Sequence, residues 1–204
     1  MLYILFRYLL WPLFMIIMRP QVYNLKGLRV KGGAIYACNH LSMLDPVMIA
    51  FLSPRIVHFM AKKELFNGLG KVFFKGLMVF PVNRHTADIA SLKRAMEVLK
   101  DGKVFGIFPE GKRSVTGELD ELEKGTAFLA LKSGAPVIPM YIDPKCYDSM
   151  RFRMIVGEPV SREGLENLSR NEMSDEFTNR LTAAFEGLKA RLEDMQWKSS
   201  RQRT

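Results

Sequence analysis

The sequence predicts one α/β domain, a mixed, mostly parallel sheet flanked by helices and preceded by an N-terminal membrane-anchoring helix. Three observations carry that expectation. Short apolar runs of strand length alternate with helix-length segments along the chain. Polar, chemistry-bearing residues follow directly on two of those runs, where open α/β sheets hold their ligands. The 204 residues, 48% hydrophobic and 25% charged, suffice for one sizeable core.

Met1 to Met18 are apolar except for Arg7, with Pro12 inside and aromatics at Tyr3, Phe6, Tyr8, Trp11 and Phe14. A full membrane span needs about 20 apolar residues, so the stretch is marginal for crossing. No small-residue cleavage site precedes Arg19-Pro20, which argues against a signal peptide. The expectation is a membrane-associated helix over residues 1–20 that lies in the interface or inserts partway, its Trp and Tyr at headgroup level. A buried core helix is the alternative.

Residues 21–197 form the expected soluble domain. Lys31-Gly32-Gly33 reads as a turn, and 34–38 as a buried strand ending at Asn39. Residues 46–52 read as a helix and 55–61 as a strand. Residues 65–77 form a basic amphipathic segment with Lys71 and Lys75 one turn apart, suited to an anionic membrane or to an ordinary solvated face. A strand follows at 79–82. Thr86 is the expected cap of a helix running to Lys100, with Ile89, Leu92, Met96 and Leu99 at helical spacing. Residues 104–108 and 136–142 are continuous apolar strands separated by a helix over 125–132. A strand at 151–156 and a long helix at 172–195 complete the domain, and 198–204 form a basic tail.

The net charge of +9 is uneven, with twelve Lys/Arg against five Asp/Glu between residues 51 and 115. Such a patch faces phosphates, an anionic membrane or an acidic partner. Two cysteines, Cys38 and Cys146, stand far apart and outside any CxxC pattern. That argues against a disulfide framework or zinc site and fits a reducing compartment.

Two clusters carry chemistry. His40 and Asp45 are five residues apart, a spacing that on one continuous helix would turn them about 140° from each other. They meet only if the chain bends, and Asp45-Pro46 supplies a bend or helix start. A histidine oriented by a carboxylate is a general base for a hydroxyl; the plain alternative is a loop histidine before a helix cap. The second cluster, Phe108-Pro109-Glu110-Gly111-Lys112-Arg113-Ser114, leaves the end of a strand. Gly111 permits close backbone approach, Lys112 and Arg113 can hold a phosphate, and Glu110 can accept from a hydroxyl or orient Arg113. Arg84 follows its own strand and can converge on the same anion. A solvated turn and a surface arginine are the plain alternatives.

Together these stretches resemble the lysophosphatidic acid acyltransferase family of glycerolipid acyltransferases. Asn39, His40 and Asp45 match the family's Asn-His, four residues, Asp block. Residues 79–84 match an apolar strand ending in arginine, and residues 108–114 match Phe-Pro-Glu-Gly, one residue, Arg-Ser. Residues 137–140 match an apolar strand around a proline. Lys112 stands where threonine is common in the family, and Asn83 where an acidic residue is often seen.

The resemblance implies transfer of a fatty acyl group from an acyl thioester, on coenzyme A or acyl carrier protein, to the free hydroxyl of lysophosphatidic acid. His40 would be the general base, oriented by Asp45, and Arg84, Glu110, Gly111, Lys112 and Arg113 would bind the acceptor. No cofactor or metal would be required beyond the thioester co-substrate. The protein would be membrane-associated, with its catalytic domain facing the cytoplasm. Glycerol 3-phosphate or another lysophospholipid are the alternative acceptors. Cys38 and Ser42, each two residues from His40, are read as a buried small residue and a local hydrogen-bonding residue, since no Gly-x-Ser-x-Gly elbow is present. His58 and His85 are read as structural. A basic membrane-attached lipid-binding protein accounts for the charge but leaves the pairing of His40 with Asp45 without a role. RRM, KH and zinc signatures are absent, so nucleic acid is not an expected partner.

Overall fold

The computed structural model describes residues 2–68, 74, 76–83, 88–148 and 150–201. Lys71, Lys75, Arg84, His85 and Thr86 therefore lie outside the described residues. Seven strands form one sheet: β1 (Gln21–Tyr23), β2 (Ala34–Cys38), β3 (Val57–Lys62), β4 (Val79–Val82), β5 (Val104–Ile107), β6 (Val137–Ile142) and β7 (Arg153–Val156). Their order across the sheet is β1-β7-β6-β2-β5-β3-β4. The strands from β6 to β4 are parallel; β7 runs antiparallel to β6, and β1 runs parallel to β7. The sheet is thus mixed and mostly parallel, as its apolar, centrally buried strands predict.

Alternation along β2 divides the core between the two faces of the sheet. Ile35 and Ala37 pack with Phe105, Tyr141 and residues of α3 (Ile89–Lys100), α4 (Gly125–Ser133) and α5 (Arg170–Arg201). Ala34, Tyr36 and Cys38 turn to the opposite face, where Met48 and Ile49 of α2 (Asp45–Leu52) cover them. Only a strand buried on both sides needs apolar residues at every position, and β2, β5 and β6 have none but buried residues.

Helix α1 (Leu2–Met18) lies outside the second layer. Tyr3 donates to the Ala50 carbonyl at 3.3 Å, Arg7 donates to the Ser53 carbonyl at 2.6 Å, and Phe14 meets Phe51 edge-on. At its far end the Phe152 N–H donates to the Met18 carbonyl at 2.7 Å. The outer side is bare: Tyr8 is 77% exposed and Ile16 70%, so α1 is not a core helix. No helix among the described residues is long and apolar enough to cross a membrane.

Several boundaries depart from expectation for local reasons. Helix α3 starts at Ile89, because Asp88 caps it, accepting the Ser91 N–H at 3.0 Å. The Asn83 N–H, followed by Ser91, holds the Asp88 carboxyl down at about 2. Strand β5 stops at Ile107 because Pro109 cannot donate to a ladder. Helix α2 includes Asp45, with Pro46 in its first turn. Helix α5 is longer than expected, running from Arg170 to Arg201.

Gly106 admits the Phe59 ring against β5: a Cβ there would sit 2.2 Å from Phe59 Cε1. Gly106→Ala is therefore expected to lower stability by about 1–3 kcal/mol through overpacking, measurable by urea denaturation.

Candidate active site

The carboxyl ends of β2, β5 and β6 open on one edge of the sheet, and the two polar clusters meet there. Asn39 continues β2 beyond its last ladder bond. Its side-chain amide donates to the Ile142 carbonyl at 3.0 Å and its side-chain oxygen accepts the Ile142 N–H at 2.7 Å. The side chain thus imitates a strand neighbour and pins the start of the loop that follows.

That loop bends through Ser42, whose carbonyl accepts the Asp45 N–H at 3.2 Å, and enters α2. The bend returns Asp45 to His40, with Nδ1 and Oδ2 2.9 Å apart. The same Oδ2 accepts the N–H groups of Leu41 and Ser42, each at 2.7 Å, while Tyr147 donates its hydroxyl to Oδ1. Asp45 is fully buried, and His40 is 9% exposed. With Nδ1–H donating to a carboxylate, the neutral imidazole carries its lone pair on Nε2.

The second cluster grips His40 from the other side. Glu110 Oε1 accepts the His40 N–H at 2.9 Å, and the Ser114 N–H donates to the His40 carbonyl at 2.8 Å. Phe108 stacks on the imidazole, with ring centroids 4.0 Å apart. The other Glu110 oxygen accepts the Asp120 N–H at 3.2 Å. Burial pushes the Glu110 carboxyl above its usual range, and the His40 and Asp120 N–H groups offset only part of that rise. Glu110 is buried, and each of its oxygens accepts one main-chain N–H. Gly111 has φ 67°, and a Cβ there would lie 2.1 Å from the Glu123 carboxylate, so the turn requires glycine. Lys112 and Arg113 are exposed on that turn, with Lys112 Nζ 3.4 Å from Asp120.

Two hollows flank the dyad. One, of about 870 Å³, has apolar walls at Met60, Leu92, Ile107, Phe108 and Leu122 and carries Glu110, Gly111 and Lys112. His40 is not among its walls, but Phe108, stacked on His40, is. The other, of about 640 Å³, is lined by Leu41, Ser114, Tyr141, Tyr147 and a polar rim. Among the described residues no three His, Cys, Asp or Glu side chains gather as a metal site.

The remaining nucleophile candidates have other roles. Burial, followed by the nearby Asp45 and Glu110 charges, pushes the Cys38 thiol well up, and burial pushes Cys146 to about 12. Ser42 Oγ accepts the Leu44 N–H at 3.2 Å. His58 lies in β3 with Nδ1 3.2 Å from the Val104 carbonyl, and burial lowers its pKa. Asn39, Phe108 and Tyr147 are the site residues to which sequence reasoning gave no individual role. For Tyr147, outside any block, no local signal existed.

Residues 19–143 match the Acyltransferase family. The chain belongs to this family. A 1-acyl-sn-glycerol-3-phosphate acyltransferase of Bacillus subtilis is 32% identical over 184 residues, which cover 86% of this chain and 87% of the relative. A 1-acyl-sn-glycerol-3-phosphate acyltransferase of Cocos nucifera is 36% identical over 53% of this chain and 37% of its own length. The solved structure of the 1-acyl-sn-glycerophosphate (LPA) acyltransferase of Thermotoga maritima shares the fold. Its TM-score is 0.63 at 22% identity, and the likeness covers 90% of this chain and 82% of that one.

Both thiols are buried and shifted upward, so native protein at pH 8 should resist N-ethylmaleimide. Guanidinium-denatured protein should take up two equivalents, counted by mass spectrometry.

Proposed function

We propose that the protein is a membrane-associated 1-acyl-sn-glycerol-3-phosphate acyltransferase. It moves an acyl group from a coenzyme A or acyl carrier protein thioester to the free hydroxyl of lysophosphatidic acid, giving phosphatidic acid. The observation that carries this reading is the buried His40–Asp45 pair, with Nδ1 held by the carboxylate and Nε2 left as the basic nitrogen.

In this mechanism Nε2 of His40 takes the proton of the lysolipid hydroxyl as its oxygen attacks the thioester carbonyl. Asp45 holds the ring in the productive tautomer and balances the imidazolium charge. Collapse of the tetrahedral intermediate breaks the C–S bond and releases the thiolate, which takes the proton back from His40. A positioned base contributes about 10²- to 10⁴-fold. The two hollows beside the dyad provide room for two substrates, and the apolar walls of the larger one suit an acyl chain.

Lys112 and Arg113, exposed on the turn after β5, are the cations offered to the acceptor phosphate, with Arg84 as the third from the sequence pattern. Glu110 and Gly111 serve binding through the shape they impose on that turn. Helix α1 presents Leu5, Tyr8, Leu9, Ile16 and Ile17 outward, a surface suited to lying in the membrane interface with the catalytic domain on the cytoplasmic side. The basic balance of residues 51–115 favours anionic lipid or an acidic carrier protein.

Purified protein given lysophosphatidic acid and palmitoyl-coenzyme A or palmitoyl-acyl carrier protein should form phosphatidic acid, with the productive donor identifying the partner. His40→Ala should lower the rate by about 10²- to 10⁴-fold while far-UV circular dichroism stays unchanged. Full turnover in the folded variant would rule out the base assignment. Product only from glycerol 3-phosphate or another lysophospholipid would reassign the acceptor. Leu9→Lys with Ile16→Lys on the bare side of α1 should weaken binding to phosphatidylglycerol vesicles by about tenfold or more, read by flotation.

A further inference from the structure

We propose that Tyr147 is a positioning residue for the acyl transfer: its hydroxyl donates to Asp45 Oδ1 and so fixes which oxygen, and how much charge, the carboxylate turns to His40. The inference rests on the His40–Asp45 reading above and extends it to a residue outside the family's matched segment, which ends at residue 143.

The geometry around Asp45 is lopsided. Oδ2 receives three donors, His40 Nδ1–H and the N–H groups of Leu41 and Ser42, all from the loop immediately before Asp45. Among the described residues Oδ1 receives one, the Tyr147 hydroxyl, from a segment 102 residues further along. Asp45 is fully buried, so Oδ1 without a donor would carry a desolvation cost and leave the full carboxylate charge facing the dyad. The phenol meets that cost and shares that charge.

Its own position is well determined. Asp143 accepts the Lys145 N–H at 3.0 Å and caps the short 3-10 turn Pro144–Cys146, which delivers Tyr147 over the end of β2. The Tyr147 ring then packs edge-on to Phe152, with centroids 6.3 Å apart. Burial, then the adjacent Asp45 carboxylate, keeps the phenol strongly protonated, so it serves as a donor throughout the working range.

The phenol also tempers the carboxylate. A donated proton draws charge off Asp45 and weakens its hold on an imidazolium. The other titratable groups around the dyad do not compete for this role. Glu110 is occupied by main-chain N–H groups, Cys38 and Cys146 are neutral thiols, and Asp143 is 3.3 Å from Arg153.

Tyr147→Phe keeps the ring and its packing and removes only the donor. In the full-length enzyme kcat is expected to fall by about tenfold, with KM for lysophosphatidic acid within about twofold. The acid limb of the kcat/KM profile should move to higher pH, because the untempered carboxylate holds the protonated imidazole more strongly. 3-Fluorotyrosine at position 147, isosteric and a stronger donor, should move that limb to lower pH. This second variant decides the matter if Tyr147→Phe folds poorly. In a His40→Ala background Tyr147→Phe should have no further effect on the residual rate.

Unchanged kcat and an unmoved acid limb in both position-147 variants, with His40→Ala inactive, would overturn the role of Tyr147 and leave the base assignment standing. An active His40→Ala would remove both. A fall in activity with no movement of the limb in either direction would make Tyr147 a packing residue and overturn the proposal.

Discussion

A carboxylate with no exposed surface sets the terms for this site. Burying Asp45 without partners would cost several kcal/mol, so the fold can keep it only where donors converge. The four donors come from one bend and one distant loop, and together they dictate local structure. Residues 41–44 must turn tightly enough to aim two N–H groups backward. Helix α2 must begin at Asp45 itself, where the helix N-terminus favours negative charge. The connection from β6 to β7 must come back over the strand ends to supply a hydroxyl.

The two sequence blocks that bear the family likeness interlock at the main chain of His40. Glu110 takes its N–H and Ser114 supplies a donor to its carbonyl, while Phe108 covers the imidazole face. The second block therefore acts first as a clamp on the first. Asn39 does the equivalent on the other flank by borrowing the hydrogen-bond pattern of β6. The acid, the base and the turn that carries the cations are positioned by one sheet edge.

Much of this was legible from residue order. Continuous apolar runs identified β2, β5 and β6, since a strand covered on both faces leaves no place for polar residues. The bend between His40 and Asp45 followed from their incompatible helical spacing. What stayed hidden has common physical causes. Strand β1 is three residues long, too short for any periodicity. Thr86 and Asp88 are both competent caps, and only the placement of Asn83 and Ser91 around Asp88 decides between them. That Glu110 also ties down the backbone of His40 and Asp120 could not be read from residue order, because those partners lie 70 and 10 residues away. Tyr147 carries no motif, and its partner is a hundred residues away.

The pairing of β1 with β7 has a consequence for biosynthesis. Gln21 aligns with Arg153, so β1 has no sheet partner to join until the last strand, β7, has been made. At about 5–20 residues per second, that interval lasts on the order of ten seconds. During it the apolar helix ahead of β1 has neither its Phe152 tether nor a finished domain beneath it. The apolar helix is thus synthesised well before the sheet that anchors it is complete.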